Sequence, residues 1–309
     1  MSRPPFPKTL SEFQSWFAAE EACVRYLAAS RWPNGYVCPR CDHNEAYELT
    51  SRPLFKCKNC KYQVSVTAGT VLHGTRLSIR DWFSAAYLVA TYTPGISAVQ
   101  LQRQLGLKRY ETAWGLLQKL RRAMVRPERG RISGEVEVDE TYVGGVEAGR
   151  RAGRLRDSSK TVVVGTVEIR GSGSARVRLS VVDDLSAASL VGFLEHSVTP
   201  GSIVHTDGWG GYRPLATKGY DHRRKTQGRV TNAGALFPRV HRVFSNLKTW
   251  LTGTQHGVGA QHLQHYLNEY VFRFNRRRTP MAAFQSLLGL TSQHEPTTYN
   301  MLYDGESTG

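Results

Sequence analysis

The sequence predicts a multi-domain α/β chain with a small cysteine-stapled module, a helical region and a larger domain of alternating strands and helices. Three observations carry this expectation. Two Cys-x-x-Cys pairs lie fifteen residues apart near the N-terminus. Apolar residues then recur at three- and four-residue steps from residue 78 to about 122. From residue 135 onward, runs with period-two alternation give way to helical patterns.

Length and charge bound the function. At 309 residues the chain is long enough for two domains or more. Lys and Arg number 41 against 25 Asp and Glu, a formal net charge of +16. Residues 52–130 hold 14 basic and 3 acidic side chains, so the surplus is concentrated in a quarter of the chain. A concentrated surplus is the electrostatic footprint of a phosphate-rich partner, and nucleic acid is the expected one. No apolar run approaches the roughly 20 residues that span a bilayer, so no membrane partner is expected. The N-terminus carries no apolar core of the secretory kind, so a secreted protein is not expected either.

The four cysteines Cys38, Cys41, Cys57 and Cys60 have the spacing of a zinc ribbon. Each pair forms a knuckle, and two knuckles close a tetrahedral four-sulfur site around structural Zn²⁺. The stretch between them is too short for an apolar core, so metal binding supplies most of its folding energy. Cys23 falls outside the pattern, in a segment with helical spacing, and reads as a small core residue.

Next comes an amphipathic helix over 78–92, with Ser78 as its cap. Thr93-Pro-Gly breaks it. A short helix from Ile96, a turn at Gly106 and a longer basic helix then make a helix-turn-helix pattern. Lys108 and Arg109 fall at the N-terminal end of the second helix, where a recognition helix meets DNA. Arg121 and Arg122, near its other end, are further candidate DNA contacts.

In the second half, residues 135–143 alternate as a strand, with Val136, Val138 and Tyr142 on one face and Glu135, Glu137 and Asp139 on the other. A basic, Gly-rich loop follows over 148–159. Two more strands, a helix over 187–197 capped by Asp184 or Ser186, and a fourth strand ending at Asp207 come next. Helices over 237–253 and 261–277 close the pattern, which is compatible with an RNase H-like core. Asp139 and Asp207 are carboxylates at strand positions that can face a cleft. Two such aspartates suit hard divalent cations, which drive in-line phosphoryl transfer when paired about 4 Å apart. Arg223, Arg224 and Lys225 form a basic turn soon after Asp207, placed to touch a DNA backbone.

Three blocks bind these signals together: Val138-Asp-Glu-Thr-Tyr-Val-Gly-Gly145, His205-Thr-Asp-Gly-Trp209 and His241-Arg-Val-Phe-Ser-Asn-Leu-Lys248. On these blocks, and on the tail beginning at Tyr266, the chain resembles bacterial insertion-sequence transposases of the DDE type with an N-terminal zinc ribbon (ISXO2-like). The resemblance covers about residues 10–290. It implies an RNase H-like catalytic domain over 131–290, preceded by a helical segment (1–30), the ribbon (31–72) and the helix-turn-helix region (76–128), and followed by a tail (291–309).

The resemblance implies that Asp139 and Asp207 are the first two ligands of the catalytic metals, Mg²⁺ or Mn²⁺. The third ligand in this group is commonly a helix-borne acid, and here the chain departs from the pattern. His241 stands 34 residues after Asp207, with Lys248 seven further on and on the same helical face. Lys248 is then the residue that holds a DNA phosphate. Asn246 is a second candidate for the third ligand. A neutral imidazole suits Mg²⁺ less well than a carboxylate does. The implied activity is binding of the element's terminal repeats, 3′-end cleavage and joining to target DNA, by paired subunits acting in the bacterial cytoplasm at the nucleoid. Two alternatives follow from the same residues: a DNA-binding descendant without catalysis, and a metal-dependent nuclease that cuts without joining.

Overall fold

The computed structural model describes residues 4–49, 53–126, 128–144, 160–225, 236–298 and 301–302. The basic loop expected over 148–159 and residues 226–229 lie outside the described residues. In the first half the elements are α1 (Leu10–Trp16), α2 (Glu20–Arg31), β1 (Ala46–Leu49), β2 (Leu54–Cys57), β3 (Gln63–Ser65), α3 (Ile79–Thr91), α4 (Ala98–Leu105) and α5 (Tyr110–Ala123). In the second they are β4 (Glu135–Val143), β5 (Thr161–Arg170), β6 (Gly173–Val182), α6 (Ala187–Ser197), β7 (Ile203–Thr206), β8 (Asp221–Arg224), α7 (Pro238–Gly253), α8 (Leu263–Asn275) and α9 (Pro280–Thr291). A 3₁₀ helix over Gly210–Lys218 links β7 to β8.

These elements form two compact units, residues 1–126 with 276–309 and residues 127–275. Residues 276–290, assigned from the sequence to the catalytic domain, therefore pack with the first unit. The reason is aromatic. Phe284 of α9 is fully buried and meets Phe13 and Phe17, Phe83 and Tyr87 edge-on or tilted, at centroid distances of 5.4–6.1 Å.

Local signals set the helix ends of this first unit. The hydroxyls of Thr9, Ser78 and Ser97 accept backbone N–H groups at the starts of α1, α3 and α4. Glu20 adds a carboxylate to the α3 start, accepting from the N–H of Ile79 and of Arg80. Gly106, at φ 64°, ends α4 in the left-handed conformation, and α5 follows after three residues. The strands β1, β2 and β3 form an antiparallel three-stranded sheet. Cys23 is buried, as its helical spacing predicts, and burial pushes its thiol up to about 12. Trp32 packs edge-on against Tyr36 and Phe55.

The second unit is one five-stranded sheet in the order β6-β5-β4-β7-β8, an RNase H-like arrangement. The first three strands are antiparallel, and β7 and β8 run parallel to β4. Both faces are covered, so β5 reads Thr-Val-Val-Val-Gly-Thr-Val rather than alternating. Val136, Val138, Val164 and Val204 pack with Leu190 and Leu194 of α6 and with Tyr212 and Leu215 of the 3₁₀ segment. Val163, Val167, Val177 and Leu179 pack on the opposite side with α7 and α8. Ser186 caps α6 through the N–H of Ser189, and Asp184 braces that cap.

One expectation needs correction: residues 222–224 are a strand, not a turn. β8 pairs with β7 over Asp221–Arg224 because its apolar neighbour Tyr220 anchors the chain in the core below. Its charged side chains suit a sheet edge, where they discourage pairing with another chain.

α7 packs tightly on the sheet at Gly165. A Cβ there would stand 2.8 Å from both Leu179 Cδ2 and Phe244 Cε1, two buried side chains. We therefore expect Gly165→Ala to destabilise the protein by about 1–3 kcal/mol through overpacking. A urea denaturation midpoint equal to that of the wild type would show that α7 has slack over the sheet.

Candidate active site and metal centre

In the ribbon, the four cysteine sulfurs lie within 4.8 Å of one another. Cys38 Sγ is 3.6 Å from Cys60 Sγ, and Cys41 Sγ is 3.7 Å from Cys57 Sγ. A tetrahedron with Zn–S bonds of about 2.3 Å has edges close to these values. The two knuckles are built alike. Asp42 N donates to Cys38 O and Lys61 N to Cys57 O, and both donors adopt positive φ, 56° and 63°. The donor set fits structural zinc, since four thiolates leave no open position for chemistry.

The acidic site sits in the second unit. Asp139 lies on β4, and β7 runs parallel beside it with Glu137 opposite His205. Residues 135, 137 and 139 share one sheet face with 203 and 205, and Asp207 follows directly at the end of β7. The two aspartates are close enough for the charge on Asp207 to act on Asp139. Asp207 Oδ1 accepts the Trp209 N–H at 2.9 Å, which folds the turn back on the strand end. That turn is tight. A Cβ on Gly211 would stand 2.8 Å from Leu190 Cδ1 and 2.9 Å from Leu185 O. Trp209 is 40% exposed and donates its indole N–H to Leu185 O.

α7 crosses the same face of the sheet. His241 Nε2 stands 3.2 Å from Asp139 Oδ2, so the imidazole meets the first aspartate directly. Lys248 follows two turns later on the same helical face. Its ammonium is pulled below the usual lysine value by partial burial and by the charge of Lys160. Asn246, five positions after His241, lies on a different helical face and is exposed.

Two residues that the sequence reading did not single out complete the surroundings. Glu140, next to Asp139, accepts the Tyr212 hydroxyl at 2.8 Å. Glu137 lies under the first turn of α7. The motif Glu-Val-Asp-Glu offered both by position, but strand alternation alone does not say which acids are buried. Burial, then the charges of Asp207 and Glu137, push the Asp139 carboxyl up to about 6, against the N–H donated by Glu140. Burial, opposed by the Tyr212 hydroxyl, pushes Glu140 up to about 7, with Asp139 and Asp207 adding to the shift. Crowded, desolvated carboxylates of this kind are eased by a cation. Among the described residues only the cysteines gather three or more ligand atoms tightly enough for one ion. Asp139, Asp207 and His241 are more widely spread than that.

The basic candidates divide. Lys108 and Arg109 are exposed in the turn and cap position before α5, and they line a cleft of about 730 Å³ with Arg76 and Lys119. Arg122 is half-buried. Arg121 is 1% exposed, so its expected place on DNA is corrected: it faces the interior of the first unit. Arg224 and Lys225 are exposed, while Arg223 is paired with Asp221 at 2.8 Å. Among the described residues no helix is long and apolar enough to cross a membrane.

Two measurements check this description. Cys57→Ser is expected to remove one equivalent of bound zinc and to expose the ribbon to proteolysis, read by metal analysis and limited digestion. In the acidic site, the folded-state values of about 6 and 7 lie above the ordinary 3.8 and 4.5. The two carboxyls therefore favour the folded state fully below about 4, and that contribution is lost as pH rises through 6 and 7. Without metal, Glu140→Gln should gain Tm relative to the wild type as pH goes from 5 to 8. A pH-independent difference would place Glu140 in water.

Comparison with known proteins agrees with this architecture. Residues 131–275 match the family model of the ISXO2-like transposase domain, and residues 18–63 match that of the transposase zinc-ribbon domain. A protein described as uncharacterized, from transposable element ISH50 of Halobacterium salinarum, is 26% identical over 282 residues, covering 85% of this chain and 94% of that one. Among solved structures, the Mos1 strand transfer complex matches at 13% identity and TM-score 0.29, over 71% of this chain and 80% of that one. A simian T-cell lymphotropic virus intasome bound to a PP2A regulatory subunit matches at 14% and 0.29, over 54% of this chain and 63% of that chain, under two-thirds of its length. Likenesses this weak carry no argument here. A transposase zinc-ribbon domain over residues 18–63 thus precedes an ISXO2-like transposase domain over residues 131–275, in a chain that a transposable-element protein parallels over nearly its full length.

Proposed function

We propose that this transposase binds the terminal repeats of its own element, cuts the 3′ ends and joins them to target DNA. The observation that carries the reading is the convergence of Asp139, Asp207 and His241 on one face of the sheet, with His241 Nε2 3.2 Å from Asp139 Oδ2. Asp139, Asp207 and His241 would hold two divalent ions, Mg²⁺ or Mn²⁺. Bound there, the ions would activate the attacking water or 3′-hydroxyl and stabilise the leaving oxygen. A two-ion arrangement tolerates the spread of the three side chains, because no single ion has to touch them all. Lys248, exposed two turns after His241 on α7, orients a DNA phosphate beside the site. Lys108 and Arg109 engage the terminal repeat, with Arg122 nearby. Arg224 and Lys225 extend the backbone contact near Asp207, and Arg223 joins them once released from Asp221. Cutting and joining two ends calls for paired subunits.

Strand transfer on the element's own ends, with Mg²⁺ and Mn²⁺ in parallel, tests the reading. We expect joined products with the wild type, none with Asp139→Ala, and none with His241→Ala although that variant still binds ends. Each substitution should cost at least about a hundredfold in rate. Tight end binding with no product in either metal would instead indicate a DNA-binding descendant. Cut but unjoined ends would indicate a nuclease, and unchanged joining by His241→Ala would remove His241 from the site.

A further inference from the structure

Glu137 lies two residues before Asp139 on β4, on the same face of the sheet. Its side chain is 4% exposed, and a carboxylate buried so deeply needs strong partners. It accepts the N–H of Arg239 at 2.8 Å and of Val240 at 3.0 Å, and it pairs with the Arg239 guanidinium at 2.9 Å. Both N–H groups belong to the first turn of α7. That helix opens on Pro238 and has no capping side chain of its own. Donors at a helix start have no partner within the helix, and its positive end favours an anion. Glu137 supplies from the strand what the helix lacks.

Arg239 widens the tie. It also donates to the carbonyls of Gly173 at 3.2 Å and Gly171 at 3.1 Å, in the turn joining β5 to β6. His241 is the residue directly after Val240, and its Nε2 meets Asp139 at 3.2 Å. Two contacts between the same strand and the same helix are thus one step apart. Slipping the helix by one residue turns its side chains by about 100° and carries the imidazole off the aspartate.

We propose that Glu137 is a positioning residue: its carboxylate sets the register of α7 on β4 and so holds His241 against Asp139. This rests on the metal-dependent strand cleavage proposed above, in which Glu137 itself touches neither DNA nor ion.

The test uses the full-length protein carrying Glu137→Gln, which keeps the side-chain size but removes the charge, so that an amide oxygen left on the helix N–H groups sets the amide hydrogens against the Arg239 guanidinium. Single-turnover cleavage of end DNA is followed across Mn²⁺ concentrations. A misplacement of about 1 Å costs roughly a hundredfold in rate. We expect a fall of about ten- to a hundredfold at saturating Mn²⁺, and supporting partners of ligands shift metal affinity by about tenfold or more, so the Mn²⁺ midpoint should rise. End binding should stay within about twofold of wild type, since the contacts to the repeat lie elsewhere. Wild-type cleavage with a wild-type Mn²⁺ midpoint would overturn the positioning role and leave the proposed function standing. A wild-type protein inactive in both metals would instead bring down the proposed function, and this inference with it. If Glu137→Gln does not fold, Arg239→Met decides, because it leaves both backbone contacts in place. A slower reaction with a raised Mn²⁺ midpoint, partly restored by Arg239→Lys, supports the role, and no change overturns it.

Discussion

The catalytic half depends on how one helix is seated on one strand. α7 carries the imidazole and the lysine, and β4 carries the first aspartate. Neither element is useful without the other at the right register. Three contacts hold α7 in place from different directions. The Glu137 carboxylate takes the helix start, the ring of Phe244 lies over the bare backbone of Gly165, and the Tyr270 hydroxyl donates to Val243 O. The first is electrostatic and directional, the second steric, and the third ties α7 to α8. The same device recurs in the other unit, where Glu20 of α2 caps the start of α3. In both cases an acid joins two elements that lie apart in sequence, buried in the case of Glu137 and half-buried in the case of Glu20.

The site itself carries an electrostatic burden. Asp139 and Glu140 are both pushed upward by burial, and each feels Asp207. A third carboxylate on α7 would add to that repulsion in the absence of metal. Histidine at that position adds no carboxylate and contacts Asp139 directly. In the function proposed above, that exchange would bring less negative charge to hold hard cations. Glu140 is a further half-buried acid beside Asp139, held in place by the Tyr212 hydroxyl.

Much of this was legible in the sequence, for identifiable reasons. The cysteine spacing dictates the ribbon because two knuckles and one ion leave few other solutions. The two-turn interval from His241 to Lys248 dictates a shared helical face, and the helix is there. Period-two alternation placed Asp139 opposite Val138. Three features were not legible, because they depend on contacts distant in sequence. Arg121 sits on a basic helix like any DNA-facing arginine, and only tertiary packing buries it. His222 to Lys225 look like a turn until Tyr220 is seen anchoring them at the sheet edge. The allegiance of α9 rests on Phe284, whose partners lie some two hundred residues earlier.

That last feature bears on how the protein matures. The unit holding the ribbon and the helix-turn-helix is made from both ends of the sequence, with the whole RNase H-like unit inserted between them. Chains are synthesised from the N-terminus, and domains generally fold as units. The aromatic core of the first unit stays open on the ribosome until α9 emerges. A nascent or truncated chain ending before residue 280 lacks the ring that closes that core. A chain shortened within the transposase domain therefore keeps the ribbon and the helices around it but loses the segment that completes their own compact unit.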